Sequence, residues 1–129
     1  MYMFDTNAIS ALMKEQPKIS QRFDDEPLKN MCISSIAWAE IRYGINKKGS
    51  QKLLKSSEHL AKMIRILPFT QQTADIYAHL RAEMEKQGKN LSPMDMLIAS
   101  SALANDCILI TNDQAFSHIE VLQIEDWTI

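Results

Sequence analysis

The sequence is poor in the residues that would mark a secreted, membrane-spanning or disordered chain. It has only two cysteines, Cys32 and Cys107, each inside an apolar run (MCIS and CILI) and neither in a CxxC pair. That argues against a disulfide framework and leaves two buried, reduced thiols as the expectation. The three histidines, His59, His79 and His118, lack HxxxH spacing and read as structural or surface residues. With three glycines, four prolines and 46% hydrophobic residues, long disorder is excluded and regular structure should dominate. No apolar run approaches the roughly 18 residues of a membrane span. The opening MYMFDTNAIS lacks the basic start and long apolar stretch of a signal peptide, so a cytoplasmic location without a membrane partner is expected. Repeats, linkers and low-complexity stretches are absent too. A chain of 129 residues is too short for two independent cores, which predicts a single domain over 1–129.

An excess of basic charge is also missing. The formal net charge is −2, which at first argues against a nucleic-acid partner. The objection weakens if four particular acids are neutralised by metal, because the remainder of the surface is then mildly basic. Arg42, Lys47 and Lys48 follow Glu40, and Lys86 and Lys89 precede Asp95, although a solvated helix face accounts for any one of them.

What the chain does have is alternation. Met1 to Phe4 reads as a strand, and Asp-Thr-Asn then supplies cap chemistry for AISALM, a helix that Pro17 stops. KISQRF predicts a second short helix and MCIS a second strand. Ser34 and Ser35 offer an N-cap for a helix to Lys47, closed by Gly49, with Ile36, Ala39, Tyr43 and Ile45 as its apolar positions. Leu53, Leu60, Met63 and Ile64 recur at helical spacing, and RILPF reads as a strand that Pro68 confines to an edge or end. Thr70 caps a long helix through Gln87, closed by Gly88. Ser92-Pro93 starts another through IASSALAND, whose small residues allow close packing on a sheet or a second subunit. CILIT is a strand of the kind buried on both faces, and VLQI is predicted as the last. Strands alternating with helices, without a two-residue hairpin signal, predict an α/β fold with a mainly parallel sheet covered on both faces.

Four acids stand at the edges of these elements: Asp5 and Asp113 just past strands, Glu40 and Asp95 early in helices. Singly, each has an ordinary role. Asp95 at the third helical position suits a capping box, Asp5 and Asp113 start Asx-type turns, and Glu40 fits a helix surface. Jointly they fall where open α/β sheets gather ligands. Two carboxylates about 5 Å apart repel by roughly 3 kcal/mol at an effective dielectric near 20, so a cation should sit among them. Oxygen-only ligands suit Mg2+ or Mn2+.

In their order along the chain, FDTN at Asp5, MCISS leading into a helix with Glu40 and then YG, SPMDMLIA at Asp95, ITND at Asp113 and the closing EDW resemble the motifs of the PIN-domain ribonucleases. The likeness is greatest to the VapC toxins of type II toxin–antitoxin pairs and covers the whole chain. It implies a three-layer α/β/α sandwich with a parallel sheet of four to five strands. It also implies an endoribonuclease in which Asp5, Glu40, Asp95 and Asp113 hold Mg2+ or Mn2+ and a metal-activated water attacks the phosphodiester, leaving 5′-phosphate and 3′-hydroxyl ends. Asn7 and Thr111 fall at the family's polar positions beside the first and last acids, where they would orient ligands or water. The implied partners are a VapB-type antitoxin that inserts into the active-site groove, a structured RNA such as a tRNA anticodon stem-loop, a second copy in a homodimer, and operator DNA only through the antitoxin. Leu91 and Ser92 depart from the more glycine-rich residues common in relatives. A catalytically silent PIN-fold interaction module is the alternative. A receiver domain would need an acidic pair after the first strand, and a haloacid-dehalogenase-type phosphatase DxD; Asp5-Thr6-Asn7 supplies neither.

Overall fold

In the computed structural model, which describes residues 1–129, five parallel strands form one sheet. They are β1 (Tyr2–Phe4), β2 (Met31–Ser34), β3 (Arg65–Leu67), β4 (Ile108–Ile110) and β5 (Ile124–Glu125), in the order β3-β2-β1-β4-β5. Six helices flank it in an α/β/α arrangement: α1 (Thr6–Met13), α2 (Pro17–Asp25), α3 (Ser35–Lys48), α4 (Gln51–Met63), α5 (Gln71–Lys86) and α6 (Pro93–Ala104). From β1 the chain builds outward through β2 to β3, then returns to the other side of β1 for β4 and β5. The strand order therefore reverses between β1 and β4, and the crevice at the carboxyl ends of strands beside such a reversal is where open α/β sheets bind ligands.

Apolar strands explain why the sheet is buried. Met3, Phe4, Met31, Cys32, Ile33, Leu109 and Ile110 are all at most 1% exposed and belong to one core cluster of 27 residues. At the outer edge, Trp127 is held edge-on against Tyr2 and Phe4, with ring centroids 5.0 and 5.3 Å apart. Its indole N–H donates to Glu125 Oε1 at 3.0 Å, and the Arg22 guanidinium stacks 4.6 Å over its ring. The EDW at the end of the chain thus closes one side of the sandwich.

Helix ends follow the predicted chemistry. Asp5, Ser34, Ser50, Thr70 and Ser92 are all N-caps with side-chain acceptors engaged, and Gly49 closes α3 in the left-handed conformation at φ 67°. Three expectations need correction. Pro17 does not stop α1, which ends at Met13; it is the first residue of α2, where its missing N–H costs nothing. The apolar stripe of α3 is Ala37, Ile41 and Ile45, a phase that leaves Ala39 and Tyr43 exposed. The last strand is not VLQI: residues 120 and 121 form a turn anchored by buried Leu122, Val121 is 75% exposed, and pairing with β4 begins only at Ile124.

The two thiols are buried and unbridged, as expected, and the fold brings their sulfurs to 3.9 Å. The three histidines are exposed. The small residues Ala99, Ser100, Ser101 and Ala102 are buried within the chain, with α6 packed against α5 and the sheet. None of the helices is long and apolar enough to cross a membrane.

Candidate active site

Asp5 follows the last residue of β1, and its backbone N–H continues the ladder to Ile110 O of β4 at 3.0 Å. Its side chain turns to the start of α1, where Oδ1 accepts from the Ala8 N–H at 2.7 Å. Asp113 is the N-cap of a 3-10 segment, Gln114–His118, after β4, and its Oδ1 accepts from Ala115 N–H at 2.9 Å. Asp95 is the third residue of α6, its N–H donating to the Ser92 hydroxyl at 3.1 Å. Glu40 is one turn inside α3, and the Thr6 hydroxyl of α1 donates to its Oε1 at 2.6 Å.

These four carboxylates line one pocket of about 130 Å3 together with Thr6, Asn7, Ile98 and Phe116. The cap and turn roles prove compatible with a shared site, because a carboxylate has two oxygens. In Glu40 and Asp113 one oxygen is spent on positioning and the other has no protein partner. No lysine, arginine or histidine lines the pocket.

The electrostatics follow from that arrangement. Burial, with Asp5 only 3% exposed, pushes its carboxyl up from 3.8 to about 6. Hydrogen bonds from the Thr111 side chain and the Ala8 backbone oppose the rise, while the charges of Asp95 and Asp113 add to it. Asp95 is raised as well, first by burial and then by Asp113 and Glu40, against the Ser92 hydroxyl.

The two polar neighbours separate. Thr111 is buried and does not line the pocket; its hydroxyl accepts from Asp113 N–H at 3.0 Å and bonds to Asp5, so it positions two acids together. Asn7 is exposed at the rim. Thr6 was not singled out from the sequence, although its hydroxyl ties α1 to Glu40, 34 residues away. The only local signal was its place between Asp5 and Asn7, which reads equally well as cap chemistry.

The donor set fits a hard divalent cation. All the charged donors are carboxylates, they repel one another, and no protein cation balances them. They are not drawn into a closed cluster of three or more ligands.

The whole of residues 2–122 matches the model of the PIN domain. The chain belongs to the PIN-domain family. Within it, the sequence is 33% identical over 129 residues to Ribonuclease VapC2 of Haemophilus influenzae, covering 98% of this chain and 97% of that one. It is 32% identical over 130 residues to the tRNA(fMet)-specific endonuclease VapC of Shigella flexneri, covering 98% of each. Among solved structures, VapBC2 from Rickettsia felis bound to a promoter DNA fragment superposes with a TM-score of 0.91 at 29% identity, covering 98% of both chains. These likenesses make this PIN domain a VapC-type toxin of the ribonuclease branch, with the four acids gathered at the carboxyl edge of its sheet.

Proposed function

We propose that this PIN domain is an endoribonuclease that uses Mg2+ or Mn2+ to hydrolyse phosphodiester bonds in structured RNA, with a tRNA anticodon stem-loop as the target. The observation that carries the reading is the pocket with four carboxylates and no protein counter-charge. Asp5, Glu40, Asp95 and Asp113 would hold the cation. When bound, it supplies Lewis acidity to the phosphodiester and lowers the pKa of water. Thr6 holds Glu40, Thr111 holds Asp5 and Asp113, and the Ser92 cap holds Asp95 at the start of α6. Such fixed positions matter because a displacement of about 1 Å can cost on the order of a hundredfold in rate. Asn7, exposed beside the acids, would orient water or phosphate. The tRNA assignment draws on the named activity of the Shigella relative. A VapB-type antitoxin as partner draws on the VapBC complexes among the similar structures, some of them bound to DNA, and a homodimer, at work in the cytoplasm, completes the reading.

Mapping RNA ends after brief expression tests activity and target together. The expected result is new 5′-phosphate ends at one or a few tRNA positions, lost with Asp5→Asn. Undiminished cleavage by purified Asp5→Asn protein would defeat the assignment.

A further inference from the structure

Gly44 is the tenth of the fourteen residues of α3, a place where glycine weakens a helix relative to alanine. Nothing inside the fold requires it. A Cβ built there meets no atom within 4 Å, and unlike Gly49 and Gly88 it has no positive φ. The open space in front of it is a groove of about 190 Å3 that shares Thr6, Asn7 and Glu40 with the acid pocket and is therefore its continuation.

Two stripes flank this groove. On α3, Glu40, Gly44 and Lys48 recur every four residues, so an acid, a bare stretch of backbone and a cation follow one another along one face. On α1 and its C-cap, Asn7, Ser10 and Lys14 make the facing series. Both stripes begin at the acids and end at a lysine, and neither lysine is in an ion pair. A helix C-terminus accounts for a lysine at either place. It does not account for both lining one groove, nor for a helix-weakening glycine midway between Glu40 and Lys48. From Glu40 to Lys48 the helix rises about 12 Å, the length of about three stacked nucleotides.

The geometry points to this groove as the track for the RNA strand beside the scissile phosphate, with Gly44 admitting the strand to the surface of α3 and Lys14 and Lys48 holding its phosphates. The inference rests on the nuclease reading for the identity of the strand. The two lysines outside any ion pair supply the positive charge that RNA phosphates require.

The test measures binding of bulk tRNA in EDTA, where no cleavage intervenes, alongside thermal stability and cleavage in Mg2+. Gly44→Ala is expected to raise the melting temperature by about 2–4 °C while raising the Kd for tRNA about fivefold. The double variant Lys14→Ala/Lys48→Ala is expected to flatten the dependence of log K on log salt by about 1.4, two single-strand phosphates. Unchanged tRNA affinity and salt slope in both variants overturn the proposal, as does a Gly44→Ala protein that loses affinity only for its antitoxin. A wild-type protein that binds tRNA with these sensitivities yet cuts no RNA overturns the nuclease reading and keeps the groove. One that cuts RNA while the variants bind like wild type does the reverse.

Discussion

At the scale of single residues, the site is built by hydrogen bonds that use one oxygen of an acid and leave the other. Thr6 joins two helices, spanning 34 positions to fix Glu40. Removing a hydroxyl bonded to a charged acceptor costs about 1.5–3 kcal/mol where the group is desolvated, and less at this half-buried pair. Thr6→Ala should therefore lower stability by about 1 kcal/mol in urea denaturation. It should lower kcat about tenfold, because Glu40 is no longer held. Thr6→Ser, which keeps the donor, should restore kcat. Equal loss in both variants would show that the methyl group matters rather than the bond. Asp5, Glu40, Asp95 and Asp113 were legible from the sequence because strand ends and helix starts are local signals. The work done by Thr6 was not, since no local pattern says which helix will lie against α1.

At the scale of elements, α6 illustrates how capping and site geometry are coupled. Ser92 satisfies the Asp95 N–H at 3.1 Å and Pro93 follows as the first helical residue. The cap thereby sets the residue at which the helix starts and aims an acid at its third position. Ser92→Ala should cost about 1 kcal/mol of stability and reduce activity by a larger factor than its effect on folding predicts, because Asp95 sits in the turn that frays. A proportionate fall in stability and activity would reduce Ser92 to an ordinary cap. Boundaries were legible where such caps stood out, at Ser34, Thr70 and Ser92. They failed where the signal was apolar alone. In Val121-Leu122-Gln123-Ile124 the pattern suits a strand, but only partnership with β4 decides which residues pair, and those are Ile124 and Glu125.

At the scale of the whole molecule, folding concentrates charge. The reversal of strand order between β1 and β4 brings Asp5 and Asp113 together, and α3 and α6 add Glu40 and Asp95. Asp5 shows the result: burial first, with the charges of Asp95 and Asp113 adding to it, raises its carboxyl from 3.8 to about 6. A folded pKa above the unfolded value means that the native state holds a proton the unfolded chain has lost. The stabilisation is present below pH 4 and lost as pH rises through 6. The shift corresponds to at most about 3 kcal/mol. In metal-free buffer, Asp5→Asn should accordingly melt close to wild type at pH 4 and several degrees above it by pH 7. Millimolar Mg2+ should then raise the melting temperature of wild type, by the linkage of binding to folding, and leave Asp5→Asn nearly unmoved. A variant that melts below wild type at pH 7 would mean that the Asp5 charge is not a burden on the fold.

The sequence by itself determined the alternation of strands and helices, the caps that start the helices, and the four acids with their motifs. Each of these is written in neighbouring residues, through propensity, periodicity and hydrogen bonds within a turn. Tertiary structure alone decided that the acids meet without a counter-cation, that Thr6 holds Glu40, that Cys32 and Cys107 lie with sulfurs 3.9 Å apart, and that Gly44 opens a groove from the acids to two lysines. Those facts depend on which strand lies beside which and which helices face each other. Burial of the apolar faces, summed over the whole core, selects that arrangement, and no short segment of the chain encodes it.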